Sequence, residues 1–371
     1  MSMGGGPSAP VPPSPAFPVL GKTAGWVRGG IIYFMDLPVM PPVAPMLAKL
    51  QAEIPAGRGW LYEPKWDGFR ALVFRDGDEI YIGSRDKRPF LRYFPELEEP
   101  LRAALPDRCV VDGEIVIATP EGLDFDALLL RIHPAQSRVR LLASETPATY
   151  VAFDLLAEDD EDLSGAPTAE RRARLERMLP KAATDEPPRG LQVVLTPQTD
   201  NLEVGRDWFE GLEALGLDGL IARRAESPYS PGKRTMVKLK HKRTADCVVG
   251  GYRLGKDGTG IGSLLLGVFD DNGNLHYIGH TSSFKAAERR ELLERLRAFE
   301  DAAGGFGPGR MPGGPSRWTG GKDTSWVSLR PELVCEVAYD HLQGYRFRHA
   351  ATFLRWRDDK RPEDCTFDQV T

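Results

Sequence analysis

From about Pro45 onward, apolar positions recur with the alternation of strands and then with the spacing of helices, by turns. Leu61 and Tyr62 lead into the short stretch Glu63-Pro64-Lys65-Trp66-Asp67-Gly68. Phe69, Ala71, Val73 and Phe74 lead out of it, so this part of the chain reads strand, turn, strand. Asp76-Gly77-Asp78 predicts a hairpin turn, with Glu79 to Gly83 returning. Val110 to Ala118 and Thr149 to Leu156 are apolar runs of strand length. Thr168 to Met178 predicts a helix with Thr168 as N-cap and an exposed face rich in Arg and Glu. Asn201 to Leu215 predicts another, ended by Gly216. Leu220 to Arg223 and Thr235 to Lys240 return to strand.

The texture changes near Thr244. Asp246 to Leu254, Ser263 to Asp270 and Asn274 to Gly279 read as strands, the last two joined by a tight Asp271-Asn272-Gly273 turn. Lys285 to Phe299 is a charged amphipathic helix. Gly304 to Gly321 is a Gly/Pro-rich loop, and Leu333 to Tyr339 and Thr352 to Arg357 close the segment as strands. About five strands with one intervening helix fit an OB-fold barrel. Before all this, Met1 to about Phe34 is rich in Gly, Pro and Ser and predicts a disordered extension. Met35 is the expected natural start, a flexible functional tail being the alternative. The expected division is therefore 1–34 extension, 35–243 first domain, 244–371 second domain.

Composition narrows the picture. With 371 residues, 41% hydrophobic and 27% charged, the chain has the make-up of a globular protein of about two domains. No run of 18 apolar residues exists, so no membrane helix is expected. Cys109, Cys247, Cys335 and Cys365 are far apart and form no C-x-x-C pair, which fits reduced cysteines in the cytoplasm. The net charge of −5 argues against bulk attraction to nucleic acid. A local basic groove stays open, because Arg223, Arg224, Lys233, Arg234, Lys238, Lys240, Lys242 and Arg243 cluster within one strand-turn-strand unit. His276 and His280 have the spacing of a helical zinc pair but sit in a strand, where they lie some ~13 Å apart.

The candidate chemistry centres on Lys65. A lysine held in a turn, with other cations brought near it, can lose its proton and act as a nucleophile. Alone, Lys-x-Asp-Gly also fits a hairpin with an Asp-Gly turn and a surface lysine. Lys65-x-Asp67-Gly68-x-Arg70 resembles the adenylation motif of the covalent nucleotidyltransferases: ATP-dependent DNA ligases, RNA ligases and mRNA capping enzymes. Six further segments resemble those of ATP-dependent DNA ligases, in that family's order. They are Ser84-Arg85, Asp112-Gly113-Glu114, Tyr150 to Asp154, Leu217 to Arg234 with its Ser-Pro-Tyr, Val237 to Lys240, and Arg355 to Lys360. The compact layout is most similar to the small actinobacterial ligase C group.

The resemblance implies an α+β fold: an adenylation domain of antiparallel sheets with flanking helices, followed by the OB-fold domain. It implies that Lys65 attacks the α-phosphate of ATP, aided by Lys238, Lys240 and Arg70. Glu63 resembles the adenine-reading edge, Phe153 the stacking aromatic, and Arg85 and Arg70 ribose or phosphate contacts. Glu114 resembles a ribose or metal ligand and Arg223 a phosphate contact. Asp218, Glu114 and Asp67 resemble ligands for Mg²⁺ or Mn²⁺. Arg357 and Lys360 resemble the pair that closes over the leaving phosphates, and Asp154 a structural hydrogen-bonder. The chain departs from the family at two places, carrying Asp218 where Glu is usual and Arg223 where Lys is usual. The implied activity is sealing of nicked duplex DNA in repair, by a monomer working in the cytoplasm with possible repair-protein partners. The alternatives are an RNA ligase, a GTP-using capping-type enzyme or an inactive nucleic-acid-binding scaffold.

Overall fold

The computed structural model describes residues 25–28, 31–182, 188–190, 192–241, 243–255, 257–302, 304–307, 311–312 and 325–370. The chain divides into two compact units between Leu239 and Lys240. Lys240 and His241 thus belong to the second unit, whose first strand is already paired at Arg243, opposite Tyr339. Lys242 and most of the Gly304–Gly321 loop lie outside the described residues.

The first unit is built on two sheets. The larger runs in the order Glu161–Asp162, Thr149–Glu158, Arg108–Val116, Phe69–Asp76, Glu79–Ser84, all antiparallel, with Val193–Leu195 added in parallel to Thr149–Glu158. Alternation sends its side chains to two different cores. Ala71, Val73, Ile82, Val111 and Ile115 pack under Phe94, Leu101, Leu128 and Leu175 from the flanking helical segments. Leu72, Phe74, Tyr81 and Val110 pack on the other face against Met46, Tyr229 and Met236. Those residues border the smaller sheet, ordered Leu47–Leu50, Arg234–Leu239, Leu220–Arg224, Trp60–Pro64. At about 25 cal/mol per Å² of apolar surface, this burial on both faces is the main stabilising term.

The strand-turn-strand expectation around Lys65 holds, but its two strands are not partners. Trp60–Pro64 pairs with Leu220–Arg224 in the smaller sheet, whereas Phe69–Asp76 pairs with Glu79–Ser84 and Arg108–Val116 in the larger. The motif is therefore the crossover between sheets and not a surface hairpin. Gly68 is required there, since an added Cβ would lie 2.2 Å from the Ile115 carbonyl oxygen.

The second unit carries a main sheet, ordered Leu275–Thr281, Ile261–Phe269, Arg243–Leu254, Val334–Tyr339, Thr352–Trp356, and a separate two-stranded sheet of Leu342–Gln343 and Arg346–Phe347. The edges of the main sheet meet at one bridge, where Ala351 N–H donates to the His280 carbonyl (2.9 Å) beside the Thr281–Ala351 pair. The helix Ala286–Arg297 covers the core through Leu293 and Leu296. The Asp271–Gly273 turn forms as expected, with the Asp270 carboxylate accepting from Asn272 N (3.0 Å) and Asn274 N (2.8 Å).

Three local expectations change. Gly25–Arg28 and Ile31–Phe34, inside the segment expected to lack structure, pair as an antiparallel ribbon. Their sequences, Trp-Val and Ile-Ile-Tyr-Phe around Gly29-Gly30, carry the β-branched and aromatic signature of a hairpin that outweighs the Gly/Pro-rich surroundings. Residues 1–24 of the same segment lie outside the described residues. The helix Thr168–Met178 has Pro167 as its N-cap, and Thr168 instead turns its hydroxyl to the Ser227 carbonyl (3.0 Å). Arg171 and Arg172 of that helix are buried and do not join its exposed charged face.

Candidate active site

Lys65 is fixed before its side chain is considered. Its N–H donates to the Gly219 carbonyl (2.9 Å), and its own carbonyl accepts from Asp218 N–H (2.9 Å). Gly219 meets this approach with φ of +125°, a conformation other residues rarely adopt. The same two-bond clasp brings the Asp218 carboxylate to 2.6 Å from Lys65 Nζ. Two residues 153 apart in sequence are thus held as one unit.

The ammonium opens on a cleft between the two sheets. The larger sheet contributes Arg70, Glu114 and Phe153, and the smaller Glu63, Ile221, Arg223, Arg234, Met236 and Lys238. Arg85 and the Pro45–Ala48 segment complete the walls.

Each polar wall residue has its own support. Arg70 grips the fully buried Asp112 with two bonds of 2.6 Å, and its Nη2 also donates to the Met46 carbonyl (3.3 Å). Tyr229, from the Ser-Pro-Tyr segment, donates to Asp112 (2.5 Å) and accepts from Met46 N–H (3.0 Å). The four residues close a ring that ties the Pro45–Ala48 wall to the larger sheet. Arg70 also lies over the Phe153 ring, 4.3 Å from its centroid, a cation–π contact on the aromatic face.

Glu63 and Arg223 form the far wall. Arg223 donates to Glu63, to Asp154 (2.8 Å) and to the Phe153 carbonyl (2.7 Å), and it is buried. Glu63 also accepts from Gln198 (2.5 Å), with Arg172 at 4.0 Å. Asp154 is shared by Arg223 and Arg171, the latter at 2.7 and 3.0 Å, in the structural role the sequence suggests. Arg223, expected at a phosphate, lines the cleft and is at the same time a strut whose charge two carboxylates balance. Gln198, Arg171 and Arg172 were not singled out from sequence, and Tyr229 only as part of its Ser-Pro-Tyr motif. The signal available was the surplus of acidic residues in buried strands, which require basic partners.

The two lysines expected on one strand face part company. Lys238 lines the cleft, but the strand ends at Leu239 and Lys240 sits in the second unit, 3.6 Å from Asp340. In that unit Arg357 grips Asp246 through two bonds of 2.9 Å and Asp359 through two more, with Lys360 3.7 Å from Asp246.

Burial pushes the Glu114 carboxyl up to about 7 from 4.5, against the pull of Arg70 and Lys65. Because the folded value is raised, the penalty is absent below about 4.5, grows as pH rises toward 7, and is constant above it. Allowing for its contact with solvent in the cleft, it is on the order of 2–3 kcal/mol. Glu114→Gln is therefore expected to melt higher than the wild type at about pH 8 and at the same temperature near pH 4, in thermal scans across the range. Equal differences at both ends would show that folding leaves the Glu114 carboxyl unshifted.

The model of the ATP-dependent DNA ligase domain matches residues 45–240, and that of the ATP-dependent DNA ligase C-terminal region matches residues 257–360. The chain belongs to the ATP-dependent DNA ligases. It is 51% identical to DNA ligase C of Mycobacterium tuberculosis over 349 residues, covering 91% of this chain and 96% of that one. It is 33% identical over 330 residues to the multifunctional non-homologous end joining protein LigD of Pseudomonas aeruginosa, covering 87% of this chain and 36% of that one. A solved Lig E DNA ligase is alike in fold, with a TM-score of 0.52 at 17% identity, over 85% of this chain and 100% of its own.

A ligase of this family uses ATP and a divalent cation to seal nicks in duplex DNA, by way of a covalent enzyme–AMP and then a DNA-adenylate. Magnesium binds through one or two carboxylates together with the phosphates of its nucleotide. Glu114 on the cleft wall and Asp218 beside Lys65 suit that donor chemistry. Asp67 is buried and lies outside the residues described as lining the cleft. Among the described residues no cluster of three His, Cys, Asp or Glu side chains forms a metal cage by itself. No helix among them is long and apolar enough to cross a membrane.

Proposed function

We propose that Lys65 is the nucleophile of this ligase and Asp218 its proton-holding partner. The observation that carries this reading is the 2.6 Å Lys65–Asp218 pair on a cleft lined by Arg70, Glu114, Phe153 and Lys238, held by reciprocal backbone bonds. The pair holds the ammonium in place until the triphosphate arrives. Attack then needs the free amine, and the Asp218 carboxylate stands ready to receive the proton. Lys238, Arg85 and Arg70 supply positive charge where the α-phosphate gains negative charge. A divalent cation held by Asp218 and Glu114 would neutralise phosphate charge and assist departure of pyrophosphate.

In this reading the base end of the cleft is the Glu63–Phe153–Arg223 wall. Adenine rests against Phe153, with Glu63 held to its edge by Arg223 and Gln198. The second unit is the OB-fold domain, and its Arg357 and Lys360 exchange their Asp246 contact for the leaving phosphates during adenylation. The enzyme acts as a monomer in the cytoplasm with repair proteins, a role supported by its likeness to an end-joining protein.

The test is the length and charge of the partner. Asp218→Asn is expected to slow formation of the protein–AMP adduct by roughly 10²- to 10⁴-fold, the range for loss of a proton acceptor. Asp218→Glu, which keeps the charge, should lose far less. Single-turnover labelling with α-labelled ATP reads both. Equal loss in the two variants would reject the proton-holding role.

A further inference from the structure

Among the described residues of the second unit, Arg253 and Arg346 have no carboxylate partner, and His280 lies on the same face. Arg253 stands opposite Ser263, and His280 opposite Leu265. Ser263 and Leu265 are two apart on one strand, so Arg253 and His280 share a face of the sheet. A bulge shifts the register between the Leu266–Gly279 and Gly267–Tyr277 pairs, which brings Tyr277 to that face as well. Arg346 then lies over the Tyr277 ring, 5.2 Å from its centroid. Burial, and after it the charges of Arg253 and Arg346, hold the His280 imidazole below its ordinary value, so both guanidiniums act on it.

Among the described residues, neither arginine has a hydrogen-bond or carboxylate partner, and the Nε of each is buried and unpaired. Other arginines of this unit differ. Arg355 has Glu336 at 2.7 Å, and Arg357 has Asp246 at 2.9 Å. Buried, unpaired donors cost free energy unless something satisfies them. A face that gathers two such guanidiniums and an imidazole beside a tyrosine is suited to an anion.

We propose that Arg253, His280 and Arg346 bind one backbone phosphodiester of the nicked duplex. Tyr277 fixes the plane of the Arg346 guanidinium and leaves its outer N–H groups to the phosphate. The Ser263 hydroxyl, paired across from Arg253, adds a neutral donor. Such a contact positions the duplex without reading bases, which suits an enzyme that seals nicks of any sequence. The inference rests on the DNA ligase activity of the chain and is independent of the roles given to Lys65 and Asp218.

The experiment titrates the adenylated protein with a nicked duplex whose 3′ end lacks its hydroxyl, so that binding is read without sealing. Arg253→Gln with Arg346→Gln is expected to weaken binding roughly tenfold at moderate salt and to make the salt dependence shallower by about one ion. Arg253→Lys with Arg346→Lys should keep the wild-type salt slope. Self-adenylation, which needs no DNA, should match the wild type in both. Should the double Gln variant fail to fold, Arg253→Gln alone leaves the Arg346–Tyr277 contact in place and carries the same test. Unchanged affinity and slope in the Gln variants would overturn the proposal. So would equal loss in the Lys variant, which would indicate packing. A raised ATP requirement for self-adenylation with unchanged DNA affinity would also overturn it, assigning the anion to the nucleotide.

Discussion

Lys65→Ala, incubated with α-labelled ATP and Mg²⁺, is expected to carry no covalent nucleotide. With Lys65 as the proposed nucleophile, every path from ATP to a sealed nick begins with a bond from its amine to the α-phosphorus. The backbone around residue 65 stays clasped to Asp218 and Gly219 by main-chain bonds, which an alanine keeps. The variant should therefore fold, bind ATP in the cleft and stop there. Sealing from ATP should fall below detection, whereas a nick supplied with a pre-adenylated 5′ end should still be joined, because that substrate enters after the missing step. A labelled band that survives the substitution would move the nucleophile elsewhere. Loss of both activities with a lowered melting temperature would instead give Lys65 a structural role.

Much of this site is legible in the chain because its parts are local. The alternation of Leu61-Tyr62 and of Phe69 to Phe74 marks two strands, and Pro-Lys-Trp-Asp-Gly marks the break between them. What alternation does not carry is the partner of each strand. Trp60–Pro64 and Phe69–Asp76 are neighbours in sequence yet join different sheets, and it is this separation that opens a cleft at Lys65. Parity correctly sets Lys238 and Lys240 on one face of an ideal strand, but the strand stops at Leu239, so parity no longer applies one residue later. Arg223 shows the deeper limit. A buried arginine is defined by the carboxylates that balance it, and these lie 160 and 69 positions away in Glu63 and Asp154. Nothing within reach of residue 223 in sequence distinguishes that strut from a phosphate-binding cation. The ribbon of Gly25–Arg28 and Ile31–Phe34 is the opposite case, a local signal that prevails over the composition around it.

The largest effect on stability is expected at Asp154. Its carboxylate is buried and shared by Arg171 and Arg223, both buried as well. Asp154→Ala removes one charge, leaves Arg171 without its carboxylate and leaves Arg223 with Glu63 alone. Breaking a buried ion pair by deleting one partner costs about 3–5 kcal/mol, because the survivor keeps its desolvation penalty without its compensation. For a unit of this size that lowers the melting temperature by roughly 10 °C. Arg223→Ala should cost less although it deletes a larger side chain. Asp154 would keep both bonds from Arg171, and Glu63 would keep Gln198 and the nearby Arg172. The order of the two variants in urea or thermal unfolding is therefore the decisive observation. If Arg223→Ala proves the more damaging, packing volume rather than charge balance governs this wall of the cleft. If Asp154→Ala is the worse, Arg223 is held by a carboxylate already bonded by Arg171 of the helix Thr168–Met178, and the wall against Phe153 owes its rigidity to that sharing.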